Sequence, residues 1–141
     1  MEKRILLVDS DPSARKMLAR VLELCGYFPV SASNHCEAVE QFCAAHPVLA
    51  ILDLNLEEQE GWKAYTEIRR QAPLVPVIGL TAWSRHYADA MRRGIDALAE
   101  KPLDIKALLE MIEHLTSPPE QHLIRSAGTR ALSAAAKPLE D

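Results

Sequence analysis

This 141-residue sequence lacks a long apolar run, a basic cluster and a set of paired cysteines, and each absence excludes a class of protein. No stretch is long and apolar enough to cross a bilayer, and residues 1–4 begin no signal-peptide pattern, so we expect a cytoplasmic protein with no membrane contact. The net charge is −4 and no run of lysine or arginine stands out. A nucleic-acid-binding surface is therefore not expected.

Cysteine is scarce. The three residues Cys25, Cys36 and Cys43 are odd in number and form no Cys-x-x-Cys pair. This pattern excludes a disulfide framework, and since all three fall in helical patterns we expect buried thiols in a reducing compartment.

Short apolar runs alternate five times with helical patterns, and the length suits one domain with a full core. This alternation predicts a parallel sheet covered by helices on both faces, with right-handed crossovers. Strands are expected at residues 4–8, 27–32, 49–54, 77–81 and 97–100, and helices at about 12–25, 34–45, 62–70, 84–93 and 104–115, with a polar loop at 57–61.

Several helix boundaries have chemical signals. Asp11 followed by Pro12 predicts an N-cap and a first helical residue, and Gly26 predicts the end of the same helix. Asn34 with Glu37 three residues later resembles a capping box. Ser84 and Asp104 are further expected caps.

Polar residues end four different strands: Asp9, Asp53, Thr81 and Lys101. A parallel sheet gathers these ends on one edge, where α/β proteins bind their ligands. Two carboxylates can share a divalent cation through oxygen ligands, whereas an ammonium and a hydroxyl suit phosphoryl oxygens. The combination predicts that Asp53 accepts a phosphoryl group, provided that these side chains converge in one pocket.

The chain resembles a two-component response-regulator receiver domain over about residues 3–115. Four motifs carry the resemblance in the family's order and spacing: ILLVD at 5–9 with DP at 11–12, ILDLN at 51–55 with Gly61, VIGLTA at 77–82, and KP at 101–102. It implies a flavodoxin-like doubly wound five-stranded sheet of order 2-1-3-4-5. We expect a receiver domain over 1–116 and a tail over 117–141.

The resemblance also implies residue roles. Asp53 would be the phosphoacceptor, with Thr81 and Lys101 contacting the phosphoryl group. Asp9, Asp53 and the backbone carbonyl of Asn55 would hold Mg²⁺. The donor would be a histidine kinase or phosphotransfer protein, and helix 4, strand 5 and helix 5 would contact an unknown downstream protein. The Lys101–Pro102 bond is usually cis in this family.

Some positions depart from the family's pattern. Ser10 stands where a second metal-binding acid is usual, so Mg²⁺ affinity should fall and phosphorylation should be inefficient or absent. Asp11 is either a helix cap or a metal-site acid. Glu57 is an extra acid near the site and a candidate partial substitute for the missing ligand. Leu98 replaces the usual aromatic switch residue. Trp83 is large for a position that controls water access, which predicts slow loss of phosphate.

Two alternatives compete with the phosphorylated receiver. One is a degenerate receiver that acts as a phosphorylation-independent binding module, which Ser10 and Leu98 favour. The other is an aspartyl-phosphate hydrolase of the haloacid-dehalogenase type, but Asn55 stands where that family needs a second aspartate. We therefore expect no enzyme beyond self-directed phosphotransfer and autodephosphorylation.

The tail beyond residue 117 has a different composition. Residues 120–136 form either a weakly amphipathic helix, which would pack on its own domain or in a homodimer, or a disordered linker.

Overall fold

The computed structural model describes residues 2–82 and 87–117. Within these residues five strands form one sheet of order β2-β1-β3-β4-β5, with helices around it. This confirms the predicted parallel flavodoxin-like fold. The strands are β1 Arg4–Val8, β2 Phe28–Ala32, β3 Leu49–Asp53, β4 Val77–Thr81 and β5 Ala97–Glu100; the helices are α1 Pro12–Leu24, α2 His35–Ala45, α3 Glu60–Gln71, α4 Tyr87–Arg92 and α5 Ile105–Leu115, and a 3₁₀ turn covers Glu57–Gln59.

The chain divides into two compact units, Met1–Val77 and Ile78–Asp141. In the first unit β1 lies between β2 and β3, and Val8 pairs with both Ala32 and Leu52. Every residue of β3 is buried. Helices cover both faces of a parallel sheet, so an inner strand needs the continuous apolar run that this sequence provides.

The ends of α1 follow the sequence signals. The Asp11 carboxylate accepts a hydrogen bond from the Ser13 N–H at 3.0 Å, and Pro12 is the first helical residue. At the other end Gly26 has φ +91°, and its N–H and that of Tyr27 donate to carbonyls of the last turn. These are the bonds of a Schellman motif, which favours glycine.

The start of α2 differs in one bond from the predicted capping box. Asn34 Oδ1 accepts from the Glu37 N–H at 2.9 Å, as expected. The Glu37 carboxylate accepts from the N–H and hydroxyl of Ser33, at 2.7 and 2.9 Å, rather than from Asn34. These bonds stabilise the ionised carboxylate and lower the pKa of Glu37.

The prediction of buried cysteines is wrong. Cys25, Cys36 and Cys43 are all exposed and none forms a disulfide. Cys25 is the C-cap of α1, and α2 buries the stripe of Ala38 and Phe42. At 100° per residue, Cys36 and Cys43 fall outside that stripe.

The prediction of a polar loop over 57–61 is also wrong. Glu57–Gln59 forms a 3₁₀ turn, and α3 begins at Glu60, so that Gly61 is a helical residue. Tyr65 and Ile68 are buried on the inner face of α3. Glycine usually weakens a helix, so propensity alone does not favour Gly61 as a residue of α3.

In the second unit β4 pairs with β5, and Thr81 lies opposite Glu100. The Asp104 carboxylate caps α5 by accepting from the Ala107 N–H at 3.1 Å. On α5, Leu108, Met111 and Ile112 are buried, whereas Ile105 and Leu109 are half-buried.

Several predictions fall on residues outside the described ranges: Trp83, the Ser84 cap and the helix or linker over 120–136. Among the described helices, none combines the length and apolar character that a bilayer crossing requires.

Candidate functional site

Two aspartates lie at the ends of neighbouring strands in the first unit. Asp53 is the last residue of β3, and Asp9 follows Val8, whose partner in β3 is Leu52. Asp9 is 4 % exposed and Asp53 is 5 % exposed. Neighbouring strands are about 5 Å apart. Two buried carboxylates side by side are costly unless a cation compensates their charge, so this arrangement fits a metal ion.

Each carboxylate is oriented by a backbone bond. Asp9 Oδ1 accepts from the Asp11 N–H at 2.9 Å, and Asp53 Oδ1 accepts from the Asn55 N–H at 2.9 Å. The same local turn therefore follows both strands. The turn after Asp53 also brings the predicted ligand residue Asn55 beside the acid.

Arg15 is a member of this region that sequence reasoning missed. Its Nη1 donates to the backbone carbonyl of Asp9 at 2.6 Å. This places a guanidinium from the first turns of α1 beside the end of β1, where it satisfies a strand-end acceptor. The sequence signal that could have indicated this contact is the position of Arg15, one helical turn after the Asp11 cap.

The positions that depart from the family's pattern lie around this pair. Ser10 and Asp11 are exposed, and Asp11 is occupied as the α1 cap. Glu57 is exposed in the 3₁₀ turn. In the described part of the chain, no group of three or more histidine, cysteine or acidic side chains is placed to hold a metal ion. The two buried carboxylates, Asp9 and Asp53, suit a Mg²⁺ ion that keeps several waters.

Gly61 joins α3 to the acceptor strand. A Cβ at this position would overlap the carbonyl oxygen of Asp53 and would lie 3.0 Å from its carbonyl carbon and 3.1 Å from Cα of Leu54. The neighbouring atoms are all backbone and cannot rotate away. Only glycine therefore allows α3 to begin this close to Asp53.

The other two candidate residues lie in the second unit. Thr81 ends β4 and is 1 % exposed, and Lys101 follows β5 and is half-buried. The Lys101 N–H donates to the Thr81 carbonyl at 2.8 Å, which continues the β4–β5 ladder by one residue. The Lys101–Pro102 peptide is cis. The hydroxyl and the ammonium are therefore carried by neighbouring strand ends.

Leu98 occupies the position where the family has an aromatic switch residue. It lies in β5 opposite Gly79 and is 3 % exposed. The Leu98 side chain has no hydroxyl and no aromatic ring, and it is packed in the interior of this unit.

A contact between α2 and α3 was also missed. Glu60 Oε1 accepts from the His35 N–H at 2.7 Å and lies 3.1 Å from His35 Nδ1. The backbone bond is the main cause of the lowered pKa of Glu60. The two residues are 25 apart in sequence, so no local pattern could have indicated this contact.

Comparison with known proteins identifies the family to which this fold and sequence belong. The family described as the response regulator receiver domain matches residues 5–113. The chain belongs to the response regulator receiver family. Receiver domains are signalling domains of two-component systems rather than classical enzymes, and the resemblance seen in the sequence is confirmed.

Curated relatives of this receiver are regulators. It is 33 % identical over 107 residues to the regulatory protein AtoC of Escherichia coli, covering 74 % of this chain and 23 % of AtoC. It is 36 % identical over 110 residues to the probable transcriptional regulator ycf27 of Guillardia theta, covering 76 % of this chain and 42 % of that protein. The chain thus spans about a quarter to a half of the length of these relatives.

Solved structures share its fold. The response regulator TrrA of Thermotoga maritima, in complex with Mg²⁺–BeF, has a TM-score of 0.73 and 32 % identity, covering 80 % of this chain and 98 % of TrrA. A CheY-like receiver domain protein of Methanospirillum hungatei has a TM-score of 0.74 and 27 % identity, covering 80 % of this chain and 92 % of that one.

Proposed function

We propose that this receiver accepts a phosphoryl group on Asp53 from a histidine kinase or a phosphotransfer protein, and signals by contact with another protein. The observation that carries the proposal is the pair of buried carboxylates, Asp9 and Asp53, on adjacent strand ends. We assign the receiver domain to residues 1–116, which contain the family match at 5–113, and a tail to 117–141.

In this proposal an Asp53 carboxylate oxygen attacks the phosphorus of a phosphohistidine. A P–O bond forms as the P–N bond breaks, and the electron pair leaves with the imidazole. Bound Mg²⁺ would offset the negative charge of the phosphoryl oxygens and the acids. Asp9, Asp53 and the Asn55 carbonyl would hold it, since they provide the oxygen ligands that this ion prefers.

The second unit supplies the remaining groups of the proposal. The Lys101 ammonium would pair with the phosphoryl oxygens and the Thr81 hydroxyl would donate a hydrogen bond to one of them. Both groups are carried by strand ends, as the acids are. Arg15 holds the end of β1 and so fixes the backbone of Asp9.

Ser10 should lower the affinity of this site for Mg²⁺. A hydroxyl is a weaker ligand for a hard dication than a carboxylate, so half-saturation should require more Mg²⁺ than in a receiver with two adjacent acids. Exposed Glu57 is the candidate substitute.

Intact-mass spectrometry after incubation with acetyl phosphate and Mg²⁺ tests the proposal. Wild type should gain one phosphate, whereas Asp53→Asn should gain none. Asp104→Asn, which changes an acid in the α5 cap, is the matched control and should be phosphorylated like wild type. An unmodified wild type at saturating reagent would refute the proposal.

The same experiment addresses the alternative function, a phosphorylation-independent binding module. The comparisons give no support to that alternative. It predicts no added mass and no change in tryptophan fluorescence with Mg²⁺ and beryllofluoride, which stands in for the phosphoryl group.

A further inference from the structure

The start of α3 rests on the backbone of the acceptor residue. A side chain at Gly61 would overlap the Asp53 carbonyl oxygen and crowd Cα of Leu54. Glycine in a helix costs stability relative to alanine, so its use here needs a local reason. The close approach of the Asp53 carbonyl supplies one.

The turn that leads into α3 is strained. Glu58 has φ 54° and ψ 27°, and Gln59 has φ 57° and ψ 33°. Two consecutive non-glycine residues in the left-handed region each carry a steric cost. Such a conformation persists only where the surroundings hold it.

Glu60 follows this turn directly and is bonded to α2. Its carboxylate accepts from the His35 N–H at 2.7 Å and contacts His35 Nδ1 at 3.1 and 3.2 Å. The bond caps the first turn of α2 with a side chain from the first residue of α3. The ionised carboxylate also suits the positive end of the α2 dipole. The start of α3 is therefore tied both to α2 and to Asp53.

We propose that Glu60 and Gly61 are positioning residues that set the place of the Asp53 backbone, and hence of its carboxylate, for metal and phosphoryl binding. This inference rests on the proposed function of Asp53. Neither residue needs to touch the phosphoryl group. A shift of about 1 Å in a reacting group can cost about a hundredfold in rate, and a Cβ at position 61 forces a backbone shift of that order.

The first experiment substitutes glycine at two positions. Gly61→Ala and Gly26→Ala are compared for the Mg²⁺ concentration that gives half-maximal phosphorylation by acetyl phosphate. Gly26 has φ +91° but no atom within 4 Å of a Cβ, so its variant loses stability without touching the site. We expect at least about a tenfold rise in half-saturating Mg²⁺ for Gly61→Ala, below the hundredfold limit above, and no rise for Gly26→Ala.

A second pair of variants keeps the proposal testable if Gly61→Ala does not fold. Glu60→Ala removes the hydrogen bonds to His35, whereas Glu60→Gln keeps an oxygen that can accept from the His35 N–H. Glu67→Ala removes an acid from the same helix that contacts Arg70 and Gln71. Half-saturating Mg²⁺ should rise for Glu60→Ala, return toward wild type for Glu60→Gln, and stay unchanged for Glu67→Ala.

The outcomes separate the two proposals. If wild type is not phosphorylated, the proposed function itself fails. If wild type is phosphorylated and folded Gly61→Ala and Glu60→Ala titrate with Mg²⁺ as the controls do, only the positioning role is overturned. A rise that simply follows the loss of thermal stability across all variants, Gly26→Ala included, also overturns it.

Discussion

Replacing Asp11 with alanine should destabilise the domain without weakening its metal site. The sequence left two roles open for this acid, helix cap or metal ligand. In the structure its carboxylate accepts one hydrogen bond, from the Ser13 N–H at 3.0 Å, at the start of a 13-residue helix. The bond satisfies one of the otherwise unpaired N–H groups of the first turn of α1.

The expected loss follows from that single bond. Removing an N-cap acceptor costs about 1 kcal/mol. The negative charge near the positive end of the helix adds roughly 0.3–1 kcal/mol at an exposed site. The total of about 1.5 kcal/mol should lower the melting temperature by about 6 °C for a domain of this size, at an unfolding entropy of about 2.1 cal/mol/K per residue.

Two measurements on the same samples check this prediction. Urea denaturation gives the free energy of unfolding, and phosphorylation against Mg²⁺ concentration gives half-saturation. Asp11→Asn is the matched control, because the amide oxygen keeps the cap and only the charge is lost, so its destabilisation should be the smaller charge component alone. Since exposed charges are screened by salt, half-saturating Mg²⁺ should change less than about twofold in either variant.

A different pattern would refute the cap interpretation. If Asp11→Ala were as stable as wild type but needed 10- to 100-fold more Mg²⁺, which is roughly the cost of disturbing a metal site, Asp11 would be a metal ligand. The same conclusion would follow if Asp11→Asn were as impaired in Mg²⁺ binding as Asp11→Ala.

Three further predictions concern the metal site, the core and the acid response. Ser10→Asp should lower the half-saturating Mg²⁺ concentration about tenfold, because the new carboxylate attracts the ion. The free energy behind a tenfold change is a fraction of the ~4 kcal/mol between unit charges 4 Å apart at an effective dielectric of 20. If Ser10→Ala has the same effect, position 10 does not bind the ion. Ile51→Ala removes a fully buried side chain of β3 and should lower the free energy of unfolding by about 3 kcal/mol, with Ile51→Val costing about 1 kcal/mol; equal losses from the two would contradict tight packing there. The pKa of Glu60 is lowered from 4.5, so its contribution to stability is present above pH 4.5 and is lost as the pH falls through its folded value; Glu60→Gln should show a shallower acid decline in unfolding free energy, and parallel curves for the two proteins would argue against the His35 contact in solution.

Much of the fold could be predicted from local chemistry. Five apolar runs alternate with helical patterns, and a parallel sheet needs strands that are apolar on both faces. Asp11, Asn34 and Asp104 begin helices as predicted, because a cap needs only an acceptor within the same turn. The acids Asp9 and Asp53 could likewise be placed at strand ends.

Burial around the helices was harder to predict. Cys43 is one residue from Phe42, and a turn of 100° separates the core from solvent. Met111 rather than Leu109 completes the buried face of α5. Met111 and Leu109 are both apolar and differ in the direction that each takes around the axis of α5. The spacing of apolar residues does not show which of these directions meets the neighbouring element.

Local sequence thus carries the alternation of strands and helices, several helix starts and the place of each acid at a strand end, because each depends on residues a few positions apart. The order of the strands in the sheet came from the family resemblance. Contacts between distant segments came only from the folded chain. Gly61 indicates a loop until the Asp53 carbonyl is seen in the space that a Cβ would need, and Glu60 indicates a solvated acid until His35 is found beside it. Both contacts arise where separate helices and strands meet, and their spacing depends on packing rather than on neighbouring residues.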